Sequence, residues 1–542
     1  MTSLLRQSVL CAALVTLLGA HSASPRTLAA QDSVPAVERS VTAVPAAEAE
    51  AFLEDLARSG LIVSQLRTRL QRGVQVFDIE AIRNRDEAAW MVHINLSAAD
   101  FREKRKLYDQ DGYELTTEQG ILSGRQRRWL GVWVQRKLLP ARLELPPGPP
   151  PVSGAPGAEL EPLNRLMLDL LTKEQIPGAT LAVLDNGKLV YERGFGYADP
   201  DSRTAMAPDA VMRIASISKP LTAAAVLCLA RDERLSLDDT VFSWLEQHPA
   251  GWDLKAARAI DPRWSEITIR QLLQHTAGFD REKSRDTMFE VVRITAALGV
   301  RRRLRIEDVV SYQLTQPLDF APGERVSYSN VGYCLLGRVL EAVTKQSYEQ
   351  CMQELVLTPC GMERTRLGRT ELSGRFPDEV RYLTHGRERV PLVFDSALGE
   401  TRKDPELVEK PYGQWDLELM DAHGGWLSTS GDLLRFMKMA MAESEQKRVA
   451  GISEKLLPQP DSRDAWYGAG WQVRYGNGGT GMNFWHTGRL TGTSALLVRR
   501  WDDRAWAVLF NSDTGSSGKA CADLIDSELH RAVTAALDAE ED

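Results

Sequence analysis

Between Leu221 and Ala230 every position except Thr222 is apolar. A helix that is hydrophobic on all sides has no solvent face, so this run predicts a helix through the middle of a domain. Elsewhere the apolar positions favour strands. Ala179 to Leu184 and Lys188 to Tyr191 flank Asp185-Asn186-Gly187, and Asn-Gly between two such runs predicts a hairpin. Ser494 to Arg499 and Ala505 to Phe510 predict a second hairpin across Asp502-Asp503. Helices are predicted over Leu163–Leu171 and Gly332–Val343. Strands at both ends with helices between them predict a mixed α+β domain: an antiparallel sheet flanked by helices, with a helical subdomain inserted.

Ahead of this domain the pattern repeats. Gly73, Ile82, Trp90, Val92 and Ile94 return 39 residues later as Gly112, Ile121, Trp129, Gly131 and Trp133. Each copy reads as a helix followed by two strands, with Gly112–Leu115 opening one strand and Trp129–Val134 forming the next. Repeats of this kind stack, so two copies predict one small α+β repeat domain over residues 51–138. Residues 31–50, small, polar and Ala-rich, read as a flexible tether. Residues 139–159 contain Leu145-Pro146-Pro147-Gly148-Pro149-Pro150-Pro151 and read as a stiff spacer without a core. The larger domain then spans 160–538.

Composition adds limits. With 43% hydrophobic and 26% charged residues the chain is neither fibrous nor disordered as a whole. A net charge of -8 and a pI near 5.7 exclude a nucleic-acid partner held by bulk charge, and Arg301–Arg305 reads as a solvated helix end or loop. At the start, Arg6 precedes an apolar run from Val9 to Ala20, with small residues at Ser22, Ala23, Ala29 and Ala30. This is the pattern of a secretory signal within residues 1–30, cleaved near Ser22 or near Ala30, so export to the periplasm or beyond is expected. The run is shorter than the ~20 residues a spanning helix needs. Cys351 and Cys360 are available to pair in an oxidising compartment, though spacing alone does not show that they do. The histidines include no close pair and no His-Glu-x-x-His, so neither a metal nor another cofactor is expected.

Three strings carry the chemistry: Ser216-Ile217-Ser218-Lys219, Tyr328-Ser329-Asn330 and His486-Thr487-Gly488. Ser216 and Lys219 are three apart at the mouth of the buried helix, hence on one face with Cβ atoms ~5–6 Å apart. Desolvation there lowers the lysine pKa toward that of a base, and the helix dipole favours charge at Ser216. Pro220 falls in the first turn, where its missing N–H is tolerated. Tyr328 and Asn330 sit on a loop entering a helix, one able to carry a proton and the other to position a carbonyl or Lys219. Gly488 permits close approach at a strand edge, and the following N–H, on Arg489, is placed to join that of Ser216 as an oxyanion hole. Ser444-Glu445-Gln446-Lys447, Ser516-Ser517-Gly518-Lys519 and Tyr475-Gly476-Asn477 fit the same patterns but lack a buried platform.

In their order and spacing these strings resemble the serine β-lactamase-related family, which includes class C β-lactamases, penicillin-binding DD-peptidases, D-aminopeptidases and lactamase-fold esterases. The resemblance covers about residues 160–535. Leu272–Gly278, Pro359-Cys360-Gly361-Met362 and Gly424–Ser430 extend it. It implies Ser216 as nucleophile, Lys219 as its base, Tyr328 as second proton carrier, and Asn330, His486, Thr487, Gly488 and Arg489 as substrate-binding positions. His275 and His423 read as structural. His486 stands where lactamases and DD-peptidases usually carry lysine. A histidine is largely neutral at pH 7, which weakens the grip on a substrate carboxylate by ~1–3 kcal/mol. The expectation is therefore a secreted hydrolase of esters or amides, with a small-molecule or peptide substrate. A DD-carboxypeptidase or β-lactamase is the alternative, and a non-catalytic cell-wall or peptide-binding protein a second. Leu96 through Trp133 resembles a bacterial tandem-repeat module found beside secreted serine hydrolases, which implies cell-wall or surface contact, or a plain spacer.

Overall fold

The computed structural model describes residues 39–538 except 60, 84–88, 111–112, 124–125, 136–142, 156–159, 395–406, 441–464 and 477–480. The predicted signal and the Ser444–Lys447 string lie outside the described residues. The chain divides into two units, Met1–Pro140 and Ala141–Asp542.

The first unit runs β1 (Arg39–Pro45), α1 (Ala46–Arg58), β2 (Leu61–Gln71), β3 (Val74–Arg83), β4 (Ala89–Leu96), α2 (Ala98–Gln110), β5 (Glu114–Ser123) and β6 (Gln126–Gln135). Two antiparallel three-stranded sheets result, ordered β1-β3-β2 and β4-β6-β5. Strand, helix, strand, strand thus occurs twice. The 39-residue register read from the sequence is nevertheless wrong. It lays β3 on β5 and β4 on β6, whereas Ala46 corresponds to Ala98 and Val74 to Gln126, an offset of 52 residues. Apolar strands with a period of two look alike when slid by one strand, and the error follows from that. Residues 39–50 are not a tether either, but β1 and the start of α1. Their alanines are strong helix formers rather than marks of disorder, and Ala49 is fully buried. Alternation along β6 serves two cores: Leu130, Val132 and Val134 pack with α1, β2 and β3, while Trp133 packs with Phe101 and Tyr108 of α2.

The second unit is built on one antiparallel sheet. Its strands are β7 (Val152–Ser153), β8 (Gly178–Asp185), β9 (Lys188–Asp199), β10 (Thr204–Ala205), β11 (Trp466–Tyr467), β12 (Gln472–Tyr475), β13 (Met482–Leu490), β14 (Thr493–Arg499) and β15 (Arg504–Phe510). They lie in the order β10-β9-β8-β15-β14-β13-β12-β11, with β7 added on β9. The strands come from both ends of the unit and the helical region is inserted between β10 and β11, as the pattern predicts. Asn186 and Gly187 turn the β8–β9 hairpin at φ 47° and 74°, the left-handed geometry that favours Asn-Gly. The Pro-rich segment differs from a coreless spacer at its end, because Val152–Ser153 pairs with Gly194–Phe195 on the sheet edge, where proline neighbours are tolerated.

Helices cover both faces of this sheet: α3 (Glu161–Glu174), α4 (Ser218–Arg231), α5 (Asn330–Thr344), α6 (Ser430–Ala440) and α7 (Cys521–Asp538). Leu181, Val183, Leu496, Trp506 and Val508 pack with α3 and α7, while Ala182, Leu184, Leu497, Ala507 and Leu509 face the helical region. Central strands buried on both faces explain why β14 and β15 read as continuous apolar runs. Within α4 all of Ser218–Ala223 and Ala225–Leu229 are buried, as an all-apolar helix requires. Among the described residues no disulfide is formed; Cys351 is buried, and Cys360 Sγ lies 3.7 Å from Met439 Sδ.

Leu509 is fully buried where β15 meets β8 and β14. Leu509→Ala is expected to cost about 2–5 kcal/mol through lost burial and the cavity left behind. Urea denaturation followed by near-UV circular dichroism measures it.

Candidate active site

From Ala210 to Ala223 Ser216 is the one residue that is not buried. It lies on a 3₁₀ turn, Ala215–Ile217, that runs into α4, and Ala215 before it adopts φ 46°. A left-handed alanine is strained, and such strain persists where the surroundings over-determine it. One helical turn on, Lys219 has no exposed surface, and its Nζ donates to Ser216 Oγ at 3.1 Å, Asn330 Oδ1 at 2.7 Å and the His423 carbonyl at 3.0 Å. Burial holds Lys219 well below the usual lysine range; Asp286 opposes the shift and Arg281 adds to it.

The partners arrive from distant segments. Met212–Arg213 pairs antiparallel with Trp426–Ser428, which brings the His423 carbonyl beside the start of α4. That turn is pinned by the buried Arg338 of α5, 2.6 Å from Asp421 Oδ2, and by Thr222 Oγ1, 2.6 Å from the Ala422 carbonyl. Asn330 is the first residue of α5, which Ser329 caps by accepting the Gly332 N–H at 3.2 Å. The Asn330 amide is oriented from its far end, where Nδ2 donates to Asp286 Oδ2 at 2.6 Å, so its oxygen must face Lys219. Burial raises the Asp286 carboxyl above the usual range, while the Asn330 and Met288 hydrogen bonds, Lys219 and Arg281 oppose it.

Tyr328 closes the group. Burial raises its phenol above the ordinary tyrosine range, and a hydrogen bond to Ser216 pulls the other way. Lys219 Nζ lies 4.6 Å from the centre of its ring. His275 supports the loop: its ring packs 4.5 Å from that of Tyr328, and its Nδ1 accepts the Ser329 N–H at 3.2 Å. The positioning by His275 thus goes through the backbone.

His486 on β13 is buried, with its ring 6.4 Å from Tyr328. Its Nδ1 is 2.7 Å from the Thr487 carbonyl, which can only accept, so the proton resides on Nδ1 and Nε2 accepts from the Tyr467 hydroxyl at 2.9 Å. Burial, with Lys219 adding to it, lowers this histidine to about 3, so it is neutral at pH 7. Thr487 is half-buried, and Gly488 is buried where a Cβ would overlap the Ile214 carbonyl oxygen. Only glycine lets β13 approach the serine turn so closely. The Arg489 side chain is exposed, 3.5 Å from Asp513 Oδ2. Pairing with β12 stops at Trp485, so among the described residues no strand is paired with that edge of β13 along 486–490. All the predicted site residues therefore fall on this serine turn, the mouth of α5 and the edge of β13. Of the duplicate strings, Ser516–Lys519 lies in the loop before α7, tied to Glu174, and Tyr475 ends β12 while Asn477 lies outside the described residues.

Comparison with known sequences agrees. The sequence model of the family described as Beta-lactamase matches residues 163–530. The chain belongs to the beta-lactamase family. Members of this serine hydrolase family that it resembles include Penicillin-binding protein 4* of Bacillus subtilis, 27% identical over 357 residues, which are 65% of this chain and 71% of that protein. Protein flp of Staphylococcus aureus is 28% identical over 335 residues, 60% of this chain and 58% of that protein, so this chain matches under two thirds of that relative. Among solved structures, the D-amino acid amidase of Ochrobactrum anthropi SV3 aligns with TM-score 0.52 and 20% identity, over 71% of this chain and 100% of that one, a likeness of fold.

The beta-lactamase-family domain also uses residues that motif reading passed over. Tyr467, Asp286 and Tyr333, whose ring centre lies 5.8 Å from Lys219 Nζ, sit in no short string; Tyr467, in the Trp466-Tyr467-Gly468 turn, was signalled at most by its aromatic neighbours. Segment 280–305, which holds none of the three strings, supplies both Asp286 and Arg281.

Burial holds His275, His423 and His486 neutral, all well below the ordinary histidine value. Their unfolded pKa is near 6.5, so unfolding takes up protons below that pH. Stability from this cluster is full above about pH 6.5 and falls as pH drops toward the folded values. Denaturation midpoints measured across pH 7.5 to 4.5 are expected to decline below pH 6.5, with an uptake of about three protons from these groups.

Proposed function

We propose that the protein is an exported serine hydrolase that cleaves esters or amides through an acyl-enzyme on Ser216. The observation that carries this reading is the 3.1 Å approach of a fully buried lysine amine to a partly exposed serine hydroxyl. Asn330 Oδ1 and the His423 carbonyl can only accept, so they take two amine hydrogens. In the neutral amine, which burial favours, the lone pair then faces Ser216.

Lys219 takes the Ser216 proton as Oγ attacks the carbonyl carbon. The N–H groups of Ser216 and Arg489 hold the developing oxyanion. The proton then passes through Tyr328 to the departing alcohol or amine, and water, activated by the same pair, releases the acid and restores Ser216. A neutral His486 disfavours the alternative of a DD-carboxypeptidase or β-lactamase that grips a carboxylate at this position. A binding-only protein has no use for a buried lysine aimed at a hydroxyl. Export is supported by the Arg6–Ala30 pattern. Among the described residues no helix is long and apolar enough to cross a membrane. Contact with the cell wall or another surface is assigned to the first unit.

Ser216→Ala is expected to abolish hydrolysis of p-nitrophenyl esters or D-amino-acid amides and labelling by a fluorophosphonate probe. Lys219→Ala and Tyr328→Phe are each expected to lower kcat about 10²–10⁴-fold. Undiminished turnover and labelling in Ser216→Ala would refute the reading.

The base is the neutral amine, so kcat/KM rises with pH through the Lys219 titration. Asp286 is the anion that opposes its lowered pKa. In Asp286→Asn the ascending limb is expected to move to lower pH, which a pH–rate profile on one chromogenic ester measures.

A further inference from the structure

We infer that segment 285–305 docks the protein on a membrane surface rich in acidic phospholipid, with the helix Val291–Leu298 lying along the headgroups. This goes beyond hydrolysis and does not depend on it, because it rests on a face of the second unit that takes no part in acylation.

One face of this helix is used in packing: Val291, Ile294 and Thr295 are buried. The opposite face of such a helix is ordinarily polar, and here it is not. Val292 is 48% exposed, and Phe289, three residues earlier in the 3₁₀ turn Thr287–Phe289, is 39% exposed. Ala296 and Gly299 continue the stripe at helical spacing and are exposed as well. Around Gly299 a Cβ would meet nothing within 4 Å. The helix holds no acidic residue, and its one cation is Arg293.

Charge of one sign brackets that stripe. Segment 285–305 holds six arginines against two acidic residues, Asp286 and Glu290, in a chain whose net charge is -8. Asp286 is turned inward onto the Asn330 amide. Glu290 lies 3.6 Å from Arg285, a contact of little strength in water. Within the run Arg301–Arg305, Arg302 is held 2.6 Å from Asp308 and Arg303 2.6 Å from Asp416. Arg293, Arg301 and Arg305 are exposed and remain for an outside partner.

An apolar stripe with cations before and after it fits a leaflet of acidic phospholipid, where acyl chains lie just beneath the phosphates. A second copy packed on the same face about a twofold axis would set arginine against arginine. Eight helical residues reach only about 12 Å, so the element lies on a bilayer and does not cross it. Asp286, which orients the Asn330 amide toward Lys219, is three residues before Phe289. Lipid is therefore met by the same stretch of chain that supports the catalytic lysine.

The test is flotation of the protein, as processed on export, with vesicles of phosphatidylcholine alone or with one third phosphatidylglycerol. The wild type is expected to float with the acidic vesicles only, and less as salt is added. Phe289→Ser combined with Val292→Ser should weaken partitioning about tenfold, and Arg301→Glu combined with Arg305→Glu at least as much. Both double variants should keep the wild-type circular dichroism and ester hydrolysis, since all four side chains face solvent. The arginine pair decides the question alone if the apolar pair fails to fold. No flotation of the wild type, equal flotation with neutral vesicles, or partitioning unchanged in a folded double variant overturns the assignment. So does a dimer in sedimentation that Phe289→Ser combined with Val292→Ser dissociates, which gives the face to a second copy.

Discussion

Everything at the site depends on keeping one lysine out of water. Lys219 is fully buried, yet all its directions are spoken for: an amide oxygen, a backbone carbonyl and the Ser216 hydroxyl. Removing an ammonium from water is costly, and the protein lowers that cost by favouring the neutral form. The all-apolar α4 excludes water, and the carbonyl and amide orient the nitrogen. Only a helix buried on every side could carry the residue there. The least helix-like part of that run, the strained turn at Ala215, is what exposes Ser216.

Around the lysine the charges are sorted by burial. His275, His423 and His486 are kept neutral, and the tyrosines at 328, 333 and 467 are held protonated. Asp286 sits one residue removed from the lysine, behind Asn330, where it orients the amide while tempering the loss of positive charge. Direct contact would favour the ammonium and work against a base. Arg281, by contrast, reaches the same tyrosine ring from solvent.

Elements that share a chemistry need not share a register. The first unit shows this: its repeated pattern of strand, helix, strand, strand is real in the structure, but the 39-residue spacing of tryptophans and isoleucines follows a different pairing of strands. A signature of period two identifies a strand without saying which strand it is. Similarly, the Ala-rich stretch before Glu50 has the composition of a tether and the propensities of a helix, and packing against β2 and β3 settles it as the latter.

From the sequence alone came the mixed fold, the hairpins, the buried helix and the three strings that supply serine, lysine, tyrosine, asparagine and the β13 edge. Those features are local: periodicity, turn residues and a helical spacing of three are written in neighbouring positions. Asp286, Arg281, Tyr467 and the His423 carbonyl had no such signature, since each reaches the site from 62 to 248 residues beyond Lys219 in the chain. Tertiary structure also decided the tautomer of His486 and the depth of Lys219, because a pKa is set by what surrounds a group in three dimensions. Linear order records which groups are present; only packing determines which of them lose their water.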